Sequence, residues 1–94
     1  MSRTVSPGQI RAARALLFWS QNDLAKASKV SRQTIADFEL GKRESYDRTL
    51  ADVVKAMEEE GVMFIDEDDK FGAGVRMRLR SVRFGSIKPE GMLT

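Results

Sequence analysis

Apolar residues recur at helical spacing along the first part of the chain and alternate with polar ones near its end. Ile10, Ala13 and Leu17, with Ala12, Leu16 and Trp19 beside them, give one broad apolar face. Ser6-Pro7-Gly8-Gln9 opens that helix: Ser6 is a fitting N-cap, Pro7 takes the first helical position, and Gln9 closes a capping box. The helix is expected to run to Phe18 or Trp19, with Trp19 continuing the apolar face into a core. Two short helices joined by a tight turn account for Gln21 to Gly41. Ser20 caps the first, with Asp23 completing a capping-box-like pattern, and Ser31 caps the second. Leu24 points inward, Ala25 is small enough for a close crossing, and Ile35 and Phe38 share one face. Leu50, Val53, Val54 and Met57 form the stripe of a fourth helix, beginning near Asp47, with Ser45 as a rival cap, and ending before Gly61.

After the helices the period changes. Val62-Met63-Phe64-Ile65 is a short apolar run that suits a strand. Val75, Met77 and Leu79 then alternate with Arg76, Arg78 and Arg80, as in a half-buried strand antiparallel to the first. Between them, Asp66 to Asp69 reads as a solvated turn, because the spacing and glycine of a calcium-binding EF-hand loop are absent. A two-stranded hairpin is unstable alone, so it must pack on the helices or pair with another chain. The expected fold is therefore mainly α: four helices and a short C-terminal β-hairpin. The helical domain spans residues 1–61, the hairpin, read as a dimerisation element, residues 62–80, and a flexible tail residues 81–94.

Composition narrows the function. Ninety-four residues make one small domain, for which a partner can supply part of the buried surface. The chain has no Cys and no His, which removes disulfides, thiolate ligands and the commonest general base and metal ligand. No enzyme activity, metal or cofactor is expected. No long apolar run or signal-peptide core is present, so no membrane association and a cytoplasmic location are expected. The net charge of +2 conceals segregation: residues 1–43 carry eight basic and three acidic side chains, residues 44–70 three and ten, and residues 71–94 five and one. A positive first part beside a negative middle suits a polyanion approaching one face.

At about 100° per residue, the outer face of the third helix holds Gln33, Ala36, Asp37 and Leu40, with Arg32 at its edge. It is polar and free of β-branched bulk, as a groove-entering face must be. Through Ser20-Gln21, Leu24-Ala25, Val30-Ser31, Thr34-Ile35, Glu39, Gly41 and Lys42, this stretch resembles the helix-turn-helix of the lambda-repressor/Cro-like (XRE-type) DNA-binding family. The resemblance implies a four-helix lambda-repressor-like domain and an ion pair between Arg14 and Glu39, structural rather than catalytic. It also puts Lys29 where the family usually has glycine, and a left-handed conformation there costs about 1 kcal/mol.

The expected partner is double-stranded DNA, bound by a homodimeric transcriptional regulator with two motifs spaced roughly 34 Å apart. Arg32, Gln33 and Asp37 are the expected base readers: arginine suits guanine, glutamine suits adenine, and a carboxylate accepts from cytosine N4. Gln21, Thr34, Lys42 and Arg43 are the expected phosphate contacts. Two rivals remain open: an antitoxin that also binds a protein toxin through its C-terminal half, and a protein-binding adaptor that kept the fold.

Overall fold

The computed structural model describes residues 5–42 and 48–79. Four helices come first: α1 (Pro7–Leu17), α2 (Gln21–Ser28), α3 (Arg32–Glu39) and α4 (Arg48–Glu59). Strands β1 (Val62–Ile65) and β2 (Gly74–Met77) follow as an antiparallel pair. The expected caps at Ser45 and Asp47, the Arg80 end of the alternating stretch and the tail from Ser81 lie outside the described residues.

Local chemistry sets the helix starts. Ser6 accepts from the Gln9 backbone N–H at 3.1 Å while the Gln9 side chain accepts from the Ser6 N–H at 2.8 Å. Ser20 and Asp23 repeat the exchange at 3.0 and 2.9 Å. α1 stops because Phe18 takes a left-handed conformation, φ 60°, and turns its N–H back to Arg14 and Ala15. That places Phe18 outside the helix and 58 % exposed. Trp19 packs against the core.

Leu17, Leu24, Ile35, Phe38, Leu50 and Val54 are all buried, together with Ile10, Val53 and Met57. α1 lies against α3 and α4, and α2 against α3 and α4. The hairpin closes the same core. Gly61, at φ 106°, reverses the chain after α4, a conformation costly for any residue with a Cβ. Val62 and Phe64 then enter the core, and Val75 and Met77 cover them from β2. Of the two ways open to the hairpin's apolar face, packing on the helices or pairing with another chain, the first is seen: it is seated on α1 and α4.

Strand register explains where the alternation ends. Val62 faces Met77, Met63 faces Arg76, Phe64 faces Val75 and Ile65 faces Gly74. The Arg78 N–H donates to the Gly61 carbonyl at 2.7 Å, and there β1 has no further residue to offer. β2 therefore stops at Met77 rather than continuing to Arg80, and Leu79 stands 91 % exposed. Gln9 ties the hairpin down. Its side chain is 4 % exposed, and its Nε2 donates to the carbonyls of Ile65 at 3.2 Å and Gly74 at 2.9 Å.

Candidate nucleic-acid interface

The turn between α2 and α3 is made by Lys29, at φ 62° and ψ 31°, whose N–H donates to Ala25 at 2.8 Å. A lysine thus occupies the left-handed position at the cost stated above. Ser28 supports it: its Oγ donates to the Leu24 carbonyl at 2.7 Å and accepts from the Val30 N–H at 3.3 Å. Buried Val30 anchors the far side of the turn. Ser31 then caps α3, accepting from the Thr34 N–H at 3.1 Å and donating to the Thr34 hydroxyl at 2.9 Å.

α3 has two unlike sides. Ile35 and Phe38 face the core, while Arg32 and Gln33 in the first turn and Leu40 at the far end are exposed. Leu40 is 68 % exposed, an apolar residue on an otherwise polar face. Gln33 Nε2 donates to Asp37 Oδ1 at 3.1 Å, so these two expected base readers sit together one turn apart. After Leu40, Gly41 at φ 77° lets its N–H reach Phe38 while the Lys42 N–H reaches the Asp37 carbonyl at 2.8 Å. This Schellman-type ending sets Lys42 at the exposed C-terminus of α3. Arg43 lies outside the described residues.

At the C-terminal ends of α1 and α3 the structure brings Arg14 and Glu39 together. Arg14 Nε donates to Glu39 Oε2 at 2.6 Å and Nη2 to Oε1 at 3.0 Å, a two-pronged contact. The third guanidinium nitrogen, Nη1, donates to the Trp19 carbonyl at 3.0 Å. Glu39 is 4 % exposed and Arg14 21 %. Burial pushes the Glu39 carboxyl up, but hydrogen bonds from Arg14 and Gln21 and the charges of Arg14 and Arg11 outweigh it, holding the group below the usual glutamate range.

Gln21, an expected phosphate contact at the first turn of α2, has its side chain engaged within the chain. Its Nε2 donates to Glu39 Oε1 at 2.9 Å and its Oε1 accepts from Arg32 Nη1 at 3.4 Å. The side chain therefore links the buried pair to the first turn of α3. Arg11 was not among the expected site residues, yet its Nη1 donates to the Glu39 backbone carbonyl at the end of α3. Its spacing of three from Arg14 was the available signal, since i and i+3 share a helix face.

Among the described residues no group of His, Cys, Asp and Glu side chains is arranged to hold a metal ion. No described helix is long and apolar enough to cross a membrane. A helix-turn-helix family model matches residues 10–59, from α1 to the end of α4. No curated protein matches the sequence.

Proposed function

The chain belongs to the XRE-type, lambda-repressor-like helix-turn-helix family of DNA-binding regulators, and from that membership we propose that it is a sequence-specific transcriptional regulator binding a two-fold operator as a homodimer. The observation that carries the reading is the contrast across α3. Its first turn presents Arg32 and Gln33 to solvent, while Arg14, Gln21 and Glu39 lock its inner side. A rigid helix with an exposed polar first turn can enter a major groove without first paying to order itself.

In this reading Arg32 addresses guanine O6 and N7, and Gln33 addresses adenine N6 and N7. Asp37 orients the Gln33 amide and accepts from cytosine N4 where one is presented. Thr34 and Lys42 hold phosphates, as does Arg43 on the sequence alone. Gln21 contributes through its place at the start of α2, where first-turn N–H groups meet an anion, while its side chain steadies Arg32.

Selection from a random pool of duplex DNA tests the proposal. The expected product is a two-fold sequence bound by two chains. Recovered DNA with no enrichment over the input contradicts it.

A further inference from the structure

We propose that Leu40 reads a thymine of the operator by packing its side chain on the C5-methyl group in the major groove. The contact rests on the DNA-binding reading above and extends base reading beyond the first turn of α3. A single exposed leucine calls for no explanation by itself. The place of this one does. At about 100° per residue, Leu40 comes nearly two whole turns after Gln33 and falls on the same row, with Ala36 and Asp37 between them. That row is turned away from buried Ile35 and Phe38, and Leu40 is 68 % exposed on it. At ~1.5 Å per residue it stands roughly 10 Å further along the helix than Gln33, about three base-pair steps of ~3.4 Å. Ala36 carries only a methyl group, so the middle of the row does not hold its two ends off the groove.

The backbone holds Leu40 in place. Its N–H is shared between the carbonyls of Ala36 at 3.1 Å and Asp37 at 3.2 Å, and its φ of -97° and ψ of 0° keep it in the right-handed helical region. The next two N–H groups, of Gly41 and Lys42, return to Phe38 at 3.0 Å and Asp37 at 2.8 Å. The leucine is thus presented by a closed helix end, and Lys42, assigned to a phosphate above, follows two residues later.

Chemistry names the partner group. A leucine side chain has no donor or acceptor, so the polar atoms of the base edges offer it nothing. The apolar group that the major groove presents is the thymine methyl. That methyl lies on the side of the base nearer its own sugar-phosphate backbone, which the C-terminal end of α3 approaches where Lys42 meets a phosphate. A purine in its place would have its N7 covered by the leucine and stripped of water, with no hydrogen bond in return. Cytosine lacks the methyl.

Exchanging thymine for deoxyuridine tests this, because it removes the methyl and leaves every hydrogen-bonding group. The probe is the two-fold duplex recovered by the selection above, with each thymine exchanged in turn in both half-sites. It is titrated with the full-length native, Leu40→Ala and Leu40→Met chains. Leu40 is exposed, so both variants should fold, which circular dichroism verifies. Burying one methyl group is worth about fourfold in affinity, so at one thymine position the native chain should lose about 15-fold over the two half-sites. Leu40→Ala should bind the thymine duplex more weakly and lose little from that exchange. Leu40→Met, still long and apolar, should keep most of the sensitivity. If every exchange costs Leu40→Ala as much as the native chain, the leucine touches no methyl, and the proposal is overturned while the regulator reading stands. Within that outcome, a variant weaker on all duplexes points to the sugars, and one as tight as native points to a protein partner at this leucine. A pool with no enriched sequence overturns both the thymine contact and the reading beneath it.

Discussion

Gln9 on α1 and Gly74 on β2 are joined directly: the buried Gln9 amide donates to the Gly74 carbonyl at 2.9 Å, and to Ile65 beside it. One side chain therefore caps its own helix with its oxygen and holds the loop end of the hairpin with its nitrogen. Gln9→Ala should cost about 2 kcal/mol, because two partly buried carbonyls lose a donor and the cap loses its return bond. Denaturant melts measure the loss. Hydrogen exchange should show the strands opening before α1 to α3. A variant as stable as the native chain with unchanged strand protection contradicts the role.

The same residue shows how far the sequence could be read. The capping boxes at Ser6 and Ser20, the N-cap at Ser31 and the buried stripe of α4 depend on residues a few positions apart, so the pattern in the chain carried them. The second half of Gln9's work depends on backbone 56 and 65 residues away, and no local pattern encodes it. The seating of Val62 and Phe64 was hidden for the same reason. Their alternation marks a one-sided strand, but not whether α1 and α4 or another chain covers that side. Within the site, the Arg14 and Glu39 pair came from the family resemblance. The linking of Gln21 to both Glu39 and Arg32 needed the crossing of α2 and α3, which only the folded chain supplies.

Arg14 and Glu39 should behave as one unit. Losing either should cost about 3 kcal/mol, the low end for a buried pair because Arg14 retains 21 % exposure. Replacing both should cost less than the singles added together, and a double-mutant cycle by denaturant melts checks it. Simple additivity means the two residues contribute independently.

Acid should reveal the same pair. The Glu39 carboxyl is held below the usual range in the folded chain, so its contribution is complete above the unfolded value of ~4.3 and is lost as pH falls through the lower folded value. Glu39→Gln should therefore flatten part of the loss of stability below about pH 4. Parallel melts of native and variant chains from neutral to acid pH measure the difference. An unchanged acid limb contradicts it.

Lys29 bears a left-handed conformation that glycine adopts without strain. Lys29→Gly should stabilise the fold by about 0.5–1 kcal/mol, reduced by glycine's extra freedom when unfolded. Thermal melts read the change. A destabilised variant would show that the lysine side chain holds the turn in a way that outweighs its strain.

The division of α3 between reading and holding comes down to one comparison. Native, Arg32→Ala and Lys42→Ala chains are titrated against operator and scrambled duplexes at several salt concentrations. Arg32→Ala should lose about 1–3 kcal/mol on the operator and relax preference at one base pair. Lys42→Ala should weaken both duplexes alike and make the salt dependence shallower by roughly one ion. If the two variants lose affinity in the same way on both duplexes, the exposed first turn of α3 does not read sequence.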